Sequence, residues 1–224
     1  MPASLCLLLA LVAAPTDDAS LKLLTQFRGE FVPIAPANDS ARPFAICKYE
    51  TTQELYEAVM GANPSRWKGP RNSVEMTSLA DAAAFCQKVT ALLRDAKLIA
   101  ADQEVRLPTD VEWEYCCRAG TSTKYHFGDD PKALTDYAWY TGNAAGNDPP
   151  VGVKQPNQWG LYDMHGYIAE WTSRDDKEKE QAHVRGGSWK STADECLSSS
   201  KQQIPVATKD DAIGFRCVLT NVTK

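Results

Sequence analysis

Arg185-Gly-Gly-Ser-Trp189 and, further along, Gly214-Phe-Arg-Cys217 are the stretches whose reading decides the fold of this chain. His183 to Trp189 and Gly214 to Leu219 read as short strands, and in the second Phe215, Cys217 and Leu219 share one face by alternation. Gly186-Gly187-Ser188 lacks the strand-turn-helix setting of a nucleophile elbow, so serine catalysis is unsupported. From Gly120 onward the sequence is rich in Gly, Pro, Asn and aromatics, which predicts brief strands separated by irregular loops.

Upstream the texture is helical. After a polar lead-in, Phe44 to Tyr49 reads as a strand. Thr51-Thr-Gln-Glu54 matches a capping box opening a helix through Met60, ended by Gly61 and Pro64. Ser78-Leu-Ala-Asp81 opens a second helix, in which Ala82, Phe85, Cys86, Val89, Leu92, Leu93 and Ala96 recur at three- and four-residue steps. Leu107-Pro-Thr-Asp-Val-Glu112 closes a strand and caps a third helix that places Trp113 and Cys117 one turn apart. Neither a repeat nor a linker divides the chain. The expectation is an α+β fold in a single domain spanning 20–224.

The 224 residues, 43% apolar and 24% charged, exclude disordered and low-complexity classes. A net charge of -5, without a basic cluster, argues against nucleic acid as a partner. Leu5 to Ala14 is uncharged and apolar but too short to span a bilayer, so residues 1–19 read as a signal peptide and leader. The protein is therefore expected to be exported, with no membrane span in the mature chain. Outside the leader stand Cys47, Cys86, Cys116, Cys117, Cys196 and Cys217, a number compatible with disulfides in an oxidising compartment. The adjacent Cys116 and Cys117 look elsewhere for partners, or one is buried and free. No Cys-x-x-Cys occurs, and His126, His165 and His183 are too scattered for a helix-borne metal site.

Five blocks stand out in order: Arg106-Leu-Pro-Thr-Asp-Val-Glu-Trp-Glu-Tyr115, Asn157-Gln-Trp-Gly-Leu-Tyr-Asp-Met-His-Gly166, Glu170-Trp171, Arg185-Gly-Gly-Ser-Trp189 and Gly214-Phe-Arg-Cys217. Lys48-Tyr-Glu-Thr-Thr-Gln53, Asn63-Pro-Ser-Arg-Trp-Lys-Gly69 and Val74-Glu75 extend them upstream. Together they resemble the formylglycine-generating enzyme, or sulfatase-modifying factor, family. The resemblance implies an irregular C-type-lectin-like fold, and bridges between Cys86 and Cys217 and between Cys117 and Cys196, with Cys47 and Cys116 left over.

The resemblance also frames the chemistry. Relatives that oxidise a substrate cysteine to formylglycine hold copper(I) between two thiolates, a soft donor pair for a soft ion. One lies two residues after the aromatic of the Gly-Gly-Ser-aromatic block and the other five residues further on. Here the first position is Ser191 and only the second, Cys196, is a thiol. Among the other cleft positions Trp171 and Ser188 match, while Ala212 stands where an asparagine is usual. Tyr167, Trp171, Ser188 and Trp189 are thus the expected ligand-binding cleft, with Tyr140 another candidate wall and Trp113 and Trp159 core residues. Trp189, inside a framework block, also reads as core.

Calcium, bound by several relatives, would here rely on Glu170 and Asn143, because Tyr167 replaces an oxygen ligand. The competing reading of Glu170 is an ion pair with Arg185 or Arg216. With copper disfavoured, the expectation is a non-catalytic binding or accessory module for a protein or small-molecule ligand. The alternative is a formylglycine-generating oxidase using Cys196 and a second thiol such as Cys116. An iron-dependent sulfoxide-forming or hydroxylating role would need a histidine-rich partner. Asn38-Asp-Ser40 and Asn221-Val-Thr223 are sequons where the host makes N-glycans, and Arg174 to Glu180 reads as a solvated charged loop.

Overall fold

A computed structural model of the protein describes residues 18–35, 43–144, 148–173 and 180–222. Helix α1 (Asp18–Gly29) and strand β1 (Phe31–Ile34) open the described chain, followed by β2 (Phe44–Cys47), α2 (Gln53–Met60) and α3 (Leu79–Asp95). Strand β3 (Gln103–Arg106) leads into α4 (Asp110–Arg118) and the single turn α5 (Leu134–Tyr137). The remainder is strand and loop: β4 (Ala169–Trp171), β5 (Gln181–Arg185), β6 (Lys201–Pro205), β7 (Ile213–Gly214) and β8 (Val218–Asn221). The strands form two four-stranded sheets, β1-β2-β8-β3 and β6-β5-β4-β7. The first is antiparallel throughout, whereas β4 and β7 pair in parallel.

Local chemistry sets the helix ends. Ser78 Oγ accepts from Asp81 N while the Asp81 carboxylate accepts from Ser78 N, the reciprocal box expected for α3. Its predicted apolar face is buried from Ala82 to Leu93, and Ala96 is the half-buried C-cap. Thr109 and Glu112 form the same box on α4, and Glu112 also takes two 2.7 Å bonds from Arg106, clamping β3 to the helix. Gly61 ends α2 at φ 82°, a conformation that needs glycine.

The third expected box does not form. Thr51 is committed to tertiary backbone bonds, donating to Phe215 O and accepting from Val74 N, so Thr52 caps α2 without a side-chain bond. The polar lead-in is also more structured than its composition suggested. Leu24 and Phe27 of α1 are buried, and β1 pairs with β2. Residues 18 and 19, assigned to the leader, already belong to α1; 1–17 and the first sequon, 38–40, lie outside the described residues, as do 174–179 of the charged loop and residue 223 of the second sequon.

The strand expected over Gly214 to Leu219 is interrupted at Phe215, Arg216 and Cys217. Here the chain leaves one sheet for the other, since β7 pairs with β4 and β8 with β2 and β3. Phe215, Cys217 and Leu219 do share one side and join the cluster around Phe85, Leu93 and Tyr56. Arg216 turns the other way. Its guanidinium donates to both oxygens of Glu170 at 2.7 and 2.6 Å and to Tyr162 O at 3.0 Å. Trp113 Nε1 adds a 2.8 Å bond to the same carboxylate. Both partners are 0% exposed.

Glu170 therefore pairs with Arg216. Arg185 instead binds Asp110 at 2.7 Å, tying β5 to the start of α4. Replacing Glu170 with Gln leaves the Arg216 charge buried without its counter-ion. Denaturant unfolding is expected to show a loss of about 3–5 kcal/mol, and a Glu170→Gln protein as stable as wild type would remove the pair from the account of this fold.

Candidate functional site

Strand β5 ends at Arg185 because Gly186 and Gly187 follow in left-handed conformations, φ 89° and 73°. A Cβ on Gly187 would lie 2.8 Å from Cys196 Sγ and 3.0 Å from Glu195 O, so only glycine lets the two segments meet. The loop beyond it is tied internally. Ser191 Oγ accepts from Ser188 N at 3.0 Å, Ser188 Oγ accepts from Lys190 N, and Thr141 donates twice to Ser191 O. Thr192 and Glu195 cap a turn that delivers Cys196 into the interior.

Cys196 is 0% exposed, and burial pushes its thiol up to about 12. Its carbonyl accepts from His165 Nδ1 at 2.7 Å, while His165 Nε2 accepts from His126 N. That arrangement requires neutral imidazole, and burial lowers His165 to about 3 and His126 to about 4. Cys117 Sγ meets the same His165 ring at 3.9 Å and Met164 O at 3.5 Å.

All six cysteines from Cys47 onward are free and buried. The expected Cys117–Cys196 bridge is not formed: His165 contacts the thiol of one residue and the carbonyl of the other. Cys86 and Cys217 are brought together, sulfur to sulfur at 3.8 Å, as thiols. Cys47 and Cys116 pack in different clusters, and so do Cys116 and Cys196.

The donor sets decide which metals fit. Copper(I) at 191 and 196 would find one thiol, deep and strongly protonated, and one hydroxyl already bonded to Ser188 N; the residues do not fit it. Calcium fits no better. Both Glu170 oxygens are taken by Arg216, one of them also by Trp113, and Asn143 Oδ1 accepts from Tyr140 N.

The single cleft expected from the sequence is divided. Ser188 and Ser191 line an open trough of about 720 Å³ with Ala169, Ala212, Glu195 and Lys201. Tyr167 and Trp189 instead line a separate pocket of about 250 Å³ with Trp67, Ser73, Glu75 and Trp139. Trp171 lines neither. It is fully buried, with Nε1 bonded to Thr77 O, because β4 is one of the two inner strands of its sheet. Trp113 is core and Trp159 is half-buried against Tyr115, whereas Trp189 forms a wall rather than core. Tyr140 packs in the cluster around Tyr125 and Leu134. Trp67 and Trp139 are pocket walls that the sequence reading does not name; the signal for Trp67 is its place in the Asn63 to Gly69 block, and it is 46% exposed.

The carboxyls of the aromatic pocket differ in their surroundings. Near Trp189, burial works to raise Asp211, but Lys190 and Arg66 outweigh it and hold the carboxyl low. Glu75 and Asp148 in the aromatic pocket are raised by burial.

Residues 21–221 match the sulfatase-modifying factor enzyme 1-like domain. The chain belongs to that family. It is 27% identical over 199 residues to chaperone protein LppX of Paenibacillus barcinonensis, covering 70% of this chain and 71% of that one. It is 31% identical over 143 residues to the inactive C-alpha-formylglycine-generating enzyme 2 of Bos taurus, covering 55% and 46% respectively. Among solved structures, Treponema denticola variable protein 1 superimposes with a TM-score of 0.75 at 26% identity, covering 85% of this chain and 94% of that one. The α+β, C-type-lectin-like architecture is that of the sulfatase-modifying factor fold. No helix among the described residues is long and apolar enough to cross a membrane.

The burial of Cys196 has a direct consequence. At pH 8 a thiol of pKa about 12 is ionised in only about one molecule in ten thousand. Iodoacetamide is expected to leave Cys196 unmodified in the folded protein and to label it in denaturant, as read by peptide mass mapping. Rapid native labelling would show that the thiol is open to a reaction partner.

Proposed function

We propose that the protein is an exported, non-catalytic binding or accessory module built on the sulfatase-modifying factor scaffold. One observation carries this reading: where copper(I) chemistry needs two accessible thiolates, position 191 offers a hydroxyl bonded to Ser188 N and position 196 a buried thiol. The scaffold around them is intact, including the Gly186-Gly187 turn and the Glu170–Arg216 pair. Fold and chemistry separate readily in such scaffolds.

The relatives support the same direction. One is named an inactive formylglycine-generating enzyme, and another, matched over 70% of this chain, a chaperone protein. An accessory role in handling another exported protein accords with both. Export is supported by the apolar stretch from Leu5 to Ala14.

Copper(I) titration against a competing chelator, with oxime trapping of aldehyde on a cysteine-containing sulfatase peptide, tests the reading. The full chain is expected to bind no stoichiometric copper and to form no aldehyde. Aldehyde formation would overturn the proposal. Ser191→Cys supplies the missing sulfur and is expected to gain copper(I) binding in the same titration. A variant that remains copper-free would show that burial of Cys196, rather than residue 191, silences the site.

A further inference from the structure

The aromatic pocket contains a set of polar atoms that the fold leaves unanswered. Among the described residues Ser73 Oγ, Glu75 Oε2 and Trp139 Nε1 are buried and have no hydrogen-bond partner, and all three residues line this one cavity. Glu75 is 4% exposed and Ser73 3%. Orphaned buried groups carry a desolvation cost that a bound molecule would relieve.

The other polar groups nearby are satisfied. Glu75 Oε1 accepts from the backbone N–H groups of Arg66 and Trp67. Tyr167 O–H donates to Pro149 O at 2.6 Å and accepts from Ser73 N, so its ring is what it offers the cavity. Trp189 Nε1 donates to Asp211 O.

No basic side chain among the described residues lines the pocket, although Glu75, Asp148 and Asp211 do. Asp211 is neutralised by Arg66 and Lys190, but neither Glu75 nor Asp148 has an ion-pair partner among the described residues. Among the described residues Asp148 receives only the Asn72 side-chain amide, at 2.6 Å. The pocket thus holds two unpaired carboxyls between aromatic walls.

The tryptophans already attract cations. Lys154 lies 4.1 Å from the Trp139 ring centre, Arg66 4.8 Å from Trp67 and Lys190 5.1 Å from Trp189. Each is tethered elsewhere: Lys154 to Thr135 O, Lys190 to Asp210 and Asp211, and Arg66 to Asp211. They leave the orphaned acceptors inside untouched.

We infer that this pocket binds an alkylguanidinium group, carried by a small molecule or by an arginine side chain of a partner. The inference rests on the non-catalytic reading, since it gives the module its ligand. A guanidinium is flat, weakly hydrated and stacks on indole and phenol faces. It also brings several N–H donors, which Glu75 Oε2 and Ser73 Oγ require. A quaternary ammonium has no donor for them. Trp139 Nε1 needs an acceptor instead, and a carbonyl near the alkyl chain, such as the backbone of an arginine residue, would supply it.

The test follows the tryptophan indole N–H signals of the full chain by ¹⁵N NMR during titration with methylguanidinium, N-acetylarginine N-methylamide, tetramethylammonium and N-methylurea. Saturable shifts at Trp67, Trp139 and Trp189 with the two guanidinium probes are expected. Tighter binding of the arginine amide points to a peptide as source, and equal binding to a small molecule. Glu75→Gln, which retains Oε1 as acceptor for the backbone, and Asp148→Asn, which leaves Glu75 untouched, are each expected to weaken binding about tenfold.

The inference is overturned if tetramethylammonium or the neutral urea binds as well as guanidinium, if no probe saturates, or if both folded variants bind unchanged. The copper and aldehyde measurements are independent of these signals. Failure of guanidinium binding in a copper-free protein sinks this inference alone, whereas aldehyde formation with normal guanidinium binding sinks the accessory reading.

Discussion

The Glu170–Arg216 pair is the contact on which the rest of the molecule depends. Arg216 lies where the chain crosses from one sheet to the other, and Glu170 lies on β4, the strand that β7 joins in parallel. Two charges removed from water repay their desolvation only when every donor and acceptor is used. Here Glu170 accepts three bonds, two from Arg216 and one from Trp113, and the guanidinium also reaches the carbonyl of Tyr162. Glu50 and Asp163 flank the same guanidinium, and burial raises the carboxyls of both, Asp163 to about 6. The pair thus fixes both sheets and the orientation of α4 at once. Through Asp110 at the head of α4, Arg185 is anchored as well, and with it the Gly-Gly turn that presents Ser188 and Cys196.

That dependence explains which parts of the fold were legible in the sequence. Capping boxes at Ser78 and Thr109 are local reciprocal bonds, so a few neighbouring residues suffice to recognise them. The box at Thr51 was not realised because distant backbone groups, Phe215 O and Val74 N, claimed that residue first. Likewise the alternation of Phe215, Cys217 and Leu219 correctly gave a shared face, while the break at Arg216 follows from a partner far away in sequence. Helix α1 was invisible for another reason: it follows an apolar leader-like stretch and buries only Leu24 and Phe27.

The candidate site was legible in composition but not in partition. Ordered blocks identify which residues belong to the scaffold, yet a tryptophan in such a block can face either the core or a cavity. Trp171 and Trp189 both sit in quoted blocks; a central strand buries the first, and the loop after a left-handed glycine pair exposes one side of the second. Cysteine pairing showed the same limit. Cys86 and Cys217 meet as thiols 3.8 Å apart, whereas His165 contacts the thiol of Cys117 and the carbonyl of Cys196.

The serine at 191 has a structural role in its loop. Its hydroxyl accepts the Ser188 N–H and its carbonyl takes two bonds from Thr141, so the loop that would carry a reactive thiol is instead closed upon itself. A thiol is a weaker acceptor than a hydroxyl, so serine at 191 ties the loop more firmly than a cysteine there would. Cys196 behaves consistently, packed against Tyr125 and Leu134 as a small apolar residue. Beside the trough, the aromatic pocket, with its orphaned carboxylate oxygen and indole N–H, is the concavity whose buried polar atoms lack partners among the described residues. One short loop serves both concavities, with Trp189 forming a wall of the aromatic pocket and Ser191 lining the trough.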